Sequence, residues 1–414
     1  MLDHDDVDES FREHARSWLA QNASEFLADH AAADVDIETS RKFLSLLHQA
    51  GLVGITWPVE FGGQGRGESD ENVFAVESAR YNLPLKVFRL GLGTVGPAIL
   101  ELGTVEQKTS FCRDILTGDA IWCQLFSEPE AGSDLAGIRT SATRVDGGYV
   151  VRGQKVWTSG AHLADRALLL ARTDPDVPKH AGLTMFLIDM HQPEITVRPL
   201  PDVSGRAFFN EVLIDGAFVP ESMTLGEVGA GWAAAGRTLQ HERAAVSTGL
   251  GKGDRDTDTI SVKNLLNLAR THGRFLGDTA RADLLDLLVA DRLVGHLRLR
   301  LTQEAEAGTA IGARGSIVKL LMGRNEIEAA KTASRVLGPL AVTGRDPGGS
   351  PTDVMQTVIG SPGLAIAGGT EEIQKNIVAE RILGLPREPD PLRQRPFREL
   401  RVTGDNTSAL GVQE

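Results

Sequence analysis

Cysteine is scarce in this 414-residue sequence, which holds only Cys112 and Cys123. Two thiols exclude a disulfide framework or a cysteine-rich metal site and suit a reducing compartment. Long apolar runs are missing too, since none approaches the ~18–20 residues needed to span a bilayer. The opening Met1-Leu2-Asp3-His4-Asp5-Asp6 is acidic where a secretory signal starts basic and turns apolar. The expectation is therefore a soluble, cytoplasmic protein. Positive charge is in deficit: 43 Lys and Arg face 56 Asp and Glu, a net charge of −13. That balance argues against a general binder of nucleic acid or of anionic membranes. No H-E-x-x-H pattern, G-x-S-x-G elbow or Walker loop occurs, which lowers the metal-site, hydrolase and P-loop readings.

Glycine, by contrast, is abundant: 45 residues, where a usual share is ~7%. The excess points to tight turns or to places where backbone approaches a ligand. Helical spacing governs the first hundred-odd residues. Phe11, Ala15, Trp18 and Leu19 recur on one face, as do Phe43, Leu46, Leu47 and Ala50 ahead of Gly51. Thr104-Val105-Glu106-Gln107 has capping-box form, and Gly118 is placed to end that helix.

From about Ile121 short strands take over. Thr143–Val145 and Tyr149–Val151 flank Asp146-Gly147-Gly148 as a hairpin, and Ala167–Leu170, Leu183–Ile188, Ile195–Val197 and Glu211–Ile214 follow. This texture predicts a sandwich or barrel. Beyond Gly231 the helical period returns, with Leu284, Leu285, Leu287, Leu288, Leu293 and Leu297 forming a stripe suited to a bundle, with burial against a second copy of the chain in view. The expected class is α+β: an N-terminal helical domain (1–120), a middle β-domain (121–230), a C-terminal helical bundle (231–385) and a flexible tail (386–414).

Five segments carry chemical interest, each with a plain structural alternative. Gly91-Leu92-Gly93-Thr94-Val95-Gly96 matches G-x-G-x-x-G but lacks a preceding strand, so a tight connection before a helix at Ala98–Leu102 is the better reading. Trp122–Asp134 runs from an apolar strand into Ser127-Glu128-Pro129-Glu130-Ala131-Gly132-Ser133-Asp134, either a simple strand exit or a cradle for a polar ring or a phosphate. Gly153–Gly160 sets Trp157 beside Thr158 and Ser159, a core tryptophan or the wall of a flat ligand. Glu242-Arg243 lies on an alanine-rich helix and reads as surface or as a functional pair. Ala367–Gln374 places a glycine turn and Thr370 before a helix, an ordinary cap or a binding terminus.

The last four of these, in this order and spacing, resemble the acyl-CoA dehydrogenase family. The resemblance covers roughly residues 8 to 386 and includes Trp57-Pro58-Val59-Glu60-Phe61-Gly62-Gly63-Gln64-Gly65 and Ala379-Glu380-Arg381. It implies a helical domain, a β-domain and a four-helix bundle. It also implies FAD as cofactor, an acyl-CoA substrate, removal of the α-proton by a carboxylate, and hydride transfer from the β-carbon to flavin N5. Carried over by position, Gln124, Phe126, Ser127, Trp157 and Ser159 would surround the flavin ring, with Ser127 and Ser159 where the family usually has threonine. Ser133 would contact CoA, and Thr370 and Glu372 would lie near the FAD adenosine.

Many members carry the base immediately before the Gly-Thr of the last motif, where this chain has Gly368. Isovaleryl- and long-chain-type members have glycine there and place a glutamate before an arginine on the preceding bundle helix, which is Glu242-Arg243 here. The resemblance therefore implies Glu242 as base, Arg243 on the CoA-facing side, and the Gly368 N–H as a donor to the thioester carbonyl. A carboxylate suits the task, because it must start ionised and loss of water strengthens it as a base.

Two departures stand out. Ser334–Leu340 replaces the family's Gln…Gly-Gly motif, and the Arg-x-x-Phe-Gly segment has no clean match, Arg270 and Arg274 lying in about the right region. The implied assembly is a homo-oligomer, dimer or tetramer, with a hetero-oligomer possible and an electron-transferring flavoprotein as acceptor. The competing readings are a non-catalytic partner subunit of a mixed oligomer and a flavin monooxygenase on the same scaffold.

Overall fold

The computed structural model describes residues 9–23, 36–81, 83–203, 205–248, 262–271, 277–307, 309, 311–343 and 354–400. The front helices are α1 (Glu9–Trp18), α2 (Ile37–Gln49), α3 (Glu68–Ser78), α4 (Gly96–Leu102) and α5 (Val105–Thr117). Phe11, Ala15 and Leu19 face inward at the expected spacing, as do Phe43 and Leu47, whereas Leu46 turns outward. At the head of α5 the Thr104 hydroxyl accepts from the Gln107 N–H and the Gln107 side chain accepts from the Thr104 N–H. Gly118 then ends the helix at φ 80°.

Eight strands form one sheet among the described residues: β1 (Trp122–Leu125), β2 (Ser141–Val145), β3 (Gly148–Ser159), β4 (Arg166–Arg172), β5 (Leu183–Asp189), β6 (Ile195–Leu200), β7 (Phe209–Pro220) and β8 (Thr224–Leu225). Their order is β6-β7-β3-β2-β4-β5-β8, with β1 running parallel to β4. The β2–β3 hairpin turns at Asp146-Gly147, where Gly147 takes φ 75°. Ala167–Arg172 of β4 and Leu183–Ile188 of β5 are buried residue after residue, as strands covered on both faces must be.

Beyond the sheet come α6 (Gly231–Thr248), α7 (Val262–Thr271), α8 (Asp278–Glu306), α9 (Gly315–Leu337), α10 (Pro339–Thr343), α11 (Val354–Ile366) and α12 (Glu371–Arg381). One apolar core joins Phe43, Ile99 and Ile115 of the front helices to Leu168 and Phe186 of the sheet and reaches Ala234 and Ala235 of α6. A separate core inside the bundle gathers Leu265, Leu284, Leu287, Ala333 and Val336. The leucine stripe on α8 divides accordingly. Leu284 and Leu287 are buried, while Leu285, Val289 and Leu293, four residues apart on one face, are 62%, 59% and 60% exposed.

Two expectations change. Gly91–Val95 is a wide helical turn that runs straight into α4, not a connecting loop. Its glycines are there for close approach: a Cβ on Gly93 would lie 2.7 Å from the Cβ of Ala245 on α6, and one on Gly96 would lie 2.0 Å from Cη2 of Trp57. Nor is the segment from Pro386 a loose tail over its described length. The Phe397 N–H donates to the Val177 carbonyl (2.9 Å), and the Arg398 N–H donates to that of Pro175 (3.0 Å). The Phe397 ring lies 3.4 Å from the guanidinium carbon of Arg172. One aromatic anchor with backbone pairing outweighs a composition of Pro and Arg; residues 401–414 lie outside the described ones.

Because the space at Gly96 is filled by Trp57, Gly96→Ala should overpack the front core and destabilise by about 1–3 kcal/mol. A lowered melting temperature by calorimetry is the expected result, and an unchanged one would contradict the packing.

Candidate active site

Strand β1 carries Gln124 to the sheet end, and the chain leaves the sheet through Phe126 and Ser127. Two ties hold that exit to β3. The Val156 N–H donates to the Ser127 carbonyl at 3.0 Å. Lys155 Nζ donates to the Phe126 carbonyl (2.9 Å), the Leu170 carbonyl (2.8 Å) and Glu128 Oε1 (2.9 Å). Glu128 also accepts from the N–H groups of Arg139 (2.6 Å) and Thr140 (2.9 Å). Both partners are buried, Lys155 completely. Burial pulls the Lys155 ammonium down to about 8 against the pull of Glu128. On Glu128 burial acts upward, but Lys155 and the N–H donors hold the carboxyl below its ordinary value.

Just past Lys155 the register slips. Three steps on β3, from Lys155 to Thr158, face two on β7, from Val212 to Asn210. The extra residue re-aims the strand. Within that bulge Trp157 takes φ 58°, the only non-glycine with positive φ among the described residues. Such a backbone costs on the order of 1–3 kcal/mol for a bulky residue. The side chain gains little burial in return: the indole is 56% exposed and meets Phe209 edge-on at 5.8 Å. Asn210 Nδ2 pins the bulge by donating to the Thr158 carbonyl at 3.0 Å.

Gln124, Ser127 and Ser159 are each half-buried and Phe126 is buried, and the Val156 N–H that holds the Ser127 carbonyl belongs to the residue just before Trp157. The Oγ1 of Thr158 is buried with no partner. An outward aromatic plane in strained backbone, flanked by hydroxyls, fits a flat heterocycle with a polar rim. These residues therefore fit the isoalloxazine of FAD.

The second group of site residues sits between α6 and the α11–α12 turn. Gly368 takes φ 67°, and a Cβ built on it would lie 3.5 Å from Oε1 of Glu242. The carboxylate thus stands next to the space a side chain at 368 would enter. Gln374, buried, fixes that turn by donating to the carbonyls of Gly368 (2.9 Å) and Gly369 (3.3 Å). Thr370 caps α12 by accepting from the Ile373 N–H at 3.4 Å. Glu372, exposed in the first turn, is held below the usual carboxylate range by its own backbone N–H and by Thr370. Burial lowers Arg243; Glu242 opposes that shift, and the charge of Arg381 adds to it. Ser133 is exposed on the loop after β1, beside Asp134, whose carboxylate pairs with Lys179 at 2.8 Å. Arg270 is exposed on α7, and Arg274 lies outside the described residues. Among those residues no cluster of His, Cys, Asp and Glu could hold a metal.

Sequence reasoning missed Lys155, Glu128, Gln374 and Arg381. Lys155 left a signal: it shares the inward phase of β3 with Tyr149 and Val151, and a charge in that phase needs a buried partner. Removing one member of such a pair strands the other, so Lys155→Met should cost about 3–5 kcal/mol. Lys155→Met combined with Glu128→Gln should recover part of that loss in urea titrations; additive losses would show that the two do not interact.

Three family models match the chain in succession: acyl-CoA dehydrogenase N-terminal domain at residues 5–119, middle domain at 123–215 and C-terminal domain at 229–383. The chain is 38% identical over 359 residues to acyl-CoA dehydrogenase FadE34 of Mycobacterium tuberculosis, a match that covers 86% of this chain and 48% of that protein, so it spans about half that relative's length. With acyl-CoA dehydrogenase IpdE1 of the same organism it shares 36% identity over 397 residues, covering 92% of this chain and 98% of the relative. The solved Tcur3481-Tcur3483 steroid ACAD matches with a TM-score of 0.76 at 29% identity, over 92% of this chain and 98% of that one. The ChsE4-ChsE5 complex from Mycobacterium tuberculosis gives 0.73 at 27% identity, over 94% and 100%. With helices before and after the sheet and three family models matched in succession, the chain belongs to the acyl-CoA dehydrogenase family of FAD-dependent oxidoreductases.

Proposed function

We propose that this chain catalyses the α,β-dehydrogenation of an acyl-CoA thioester with Glu242 as the base. The observation that carries this reading is the 3.5 Å between Oε1 of Glu242 and the Cβ position of Gly368. Where other members reach inward with a side chain from that turn, here the glycine leaves room and the carboxylate of α6 fills it. Bound FAD supplies the hydride acceptor. Gln124, Ser127 and Ser159 hold its polar rim, and Trp157 walls one side. The Gly368 N–H, in a turn braced by Gln374, offers a donor to the thioester carbonyl, which raises the acidity of the α-carbon as negative charge develops. Glu242 takes the α-proton, and Arg243 beside it orders the helix on the CoA-facing side.

A base on α6 instead of at 368 suits long, branched or bulky acyl groups. A structural relative described as a steroid ACAD supports the bulky end of that range. Likeness to the family implies an electron-transferring flavoprotein as acceptor, and the exposed face of Leu285, Val289 and Leu293 suits contact with other chains of the same fold.

One observation favours a second reading, in which this chain is one of two types in a mixed oligomer. Ser334–Leu340 ends α9 and turns through Gly338 at φ 56° into α10, without the Gln…Gly-Gly motif expected to reach a neighbour's FAD. Two of the structural relatives are described by paired names. Such a chain would co-purify with a partner and hold less than one FAD per chain.

Glu242→Gln keeps the size of the side chain and removes the base. The expected outcome is a yellow protein with unchanged flavin content whose anaerobic bleaching by acyl-CoA slows by about 10²–10⁴. Undiminished bleaching would overturn the assignment of Glu242, and no bleaching of the parent protein by any acyl-CoA would overturn the dehydrogenase reading.

A further inference from the structure

The turn that carries Gly368 is held from outside by α9, which packs against α6, α11 and α12. Lys319 Nζ donates to the Ala365 carbonyl at 3.3 Å. That carbonyl lies in the last turn of α11, where helical partners run out. A cation there satisfies a lone pair and meets the negative end of the helix dipole. Farther along α9, Arg324 reaches the first turn of α12 and donates to Glu371 at 3.2 Å. The segment 367–370 is thus braced on both sides by cations of one helix.

Lys319 does more than close a helix end. A Cβ built on Gly368 would lie 3.5 Å from Oε1 of Glu242 and 3.9 Å from Cε of Lys319. Among the described residues these two border the space, the carboxylate from α6 and the lysine from α9. Their charges are separated by no more than the ~8–10 Å over which salt screens, and Lys319 is half-buried, so water does not dissipate the interaction. The other charges around Glu242 are differently placed. Arg243 follows it on α6, and Arg381 of α12 acts on Arg243. Glu101 of α4 is taken up by Arg237 (3.1 Å) and His241 (2.9 Å). The wide turn Gly91–Val95 has no ionisable side chain. From the sheet, β5 meets α6 through Met185 and Thr238 at 3.9 Å, and β4 is apolar from Ala167 to Ala171.

We propose that Lys319 is a positioning residue of the dehydrogenation, whose charge keeps Glu242 ionised and whose bond to Ala365 holds the Gly368 N–H in place. This rests on the dehydrogenase reading, with Glu242 as base. Exclusion of water favours the neutral carboxylic acid, which cannot accept a proton, whereas a neighbouring cation favours the carboxylate. The base must begin ionised. A cation beside it also weakens its proton affinity, and the Gly368 donor offsets that by carrying part of the charge that develops on the thioester carbonyl. Lys319 touches no reacting atom; it acts through Glu242 and through the turn. Between Val318 and Leu320 on an apolar helix, it reads in the sequence as an ordinary surface lysine.

The test uses the full-length flavin-loaded protein and Lys319→Met, which keeps most of the side chain and removes its charge. An infrared pH titration, taken as the difference from the same protein carrying Glu242→Gln, reads the Glu242 carboxyl without turnover. The acid form should persist to higher pH in Lys319→Met than in the parent. Anaerobic bleaching by the acyl-CoA that reduces the parent fastest should slow by about tenfold at the acid end of the profile, and by less at the alkaline end, where Glu242 is ionised in both proteins. Lys319→Arg, which retains the charge, should follow the parent. An unmoved titration, or slowing by one factor at every pH, would overturn the proposal. A moved titration in a protein that no acyl-CoA bleaches would keep the link between Lys319 and Glu242 and sink the dehydrogenase reading instead. Should Lys319→Met fail to fold, Lys319→Gln, which can still donate to the Ala365 carbonyl, must move the titration in the same direction; a parent-like titration there would overturn the proposal.

Discussion

The three hydrogen bonds of Lys155 join the exit of β1, the middle of β4 and the carboxylate of Glu128 at one buried point. Burying an ammonium and a carboxylate carries a desolvation cost of several kcal/mol per ion that their attraction only partly offsets. An apolar pair of the same volume could be as stable. What an apolar pair could not do is fix direction, because dispersion contacts do not select which carbonyl faces which strand. With the ion pair in place, the Phe126 and Ser127 carbonyls are both committed to β3. The bulge two residues on is then forced outward, and the strained Trp157 keeps its indole at the surface. The order of dependence runs from the pair to the strand exit to the aromatic wall.

A second constraint is the absence of side-chain volume at chosen places. Gly93 lets Ala245 approach, and α6 is thereby seated on the front helices. Thr238 of the same helix is buried, its hydroxyl returned to the Ala234 carbonyl at 2.9 Å, so a polar group crosses the interface without an unmet bond. Once α6 is fixed at both Ala245 and its buried threonine, the position of Glu242, about one turn beyond Thr238, is set. Gly368 completes the arrangement from the other side by leaving its space unfilled. Position in this site is thus governed as much by what glycine omits as by what side chains add.

How much of this was legible in the sequence depends on how local the cause is. The capping box at Thr104, the hairpin at Gly147 and the apolar faces of Phe11 and Phe43 follow from spacing within a few residues, and each forms as read. The reason for the glycines of the G-x-G-x-x-G segment, contact with Ala245 and Trp57, spans some forty to a hundred and fifty residues and leaves no local trace. The pairing of Lys155 with Glu128 is of the same kind: the charge in an inward strand phase is visible, the partner is not. The segment from Pro386 misled because Pro and Arg density usually marks disorder, whereas Phe397 against Arg172, two backbone hydrogen bonds and the Arg398–Asp176 ion pair dock it. Glu242 with Gly368 was legible only through likeness to a family, since nothing within either segment refers to the other.

Charge makes the last connection. A net charge of −13 creates a mean field that disfavours an anionic ligand, yet beyond a Debye length of ~8–10 Å at physiological salt that field is largely screened. Only groups within that distance decide whether an anion is welcome. Around the Ser133 loop they are Lys179, Arg139, Arg172 and the arginines of the segment from Pro386, the last held there by the Arg172–Phe397 contact and the backbone pairing of Phe397 and Arg398. Near Glu242 they are Arg243, Arg381 and Lys319. The acidic remainder sets the general field, and part of the cationic minority is gathered where the fold converges. The sign of the local field is therefore a product of tertiary packing and not of composition.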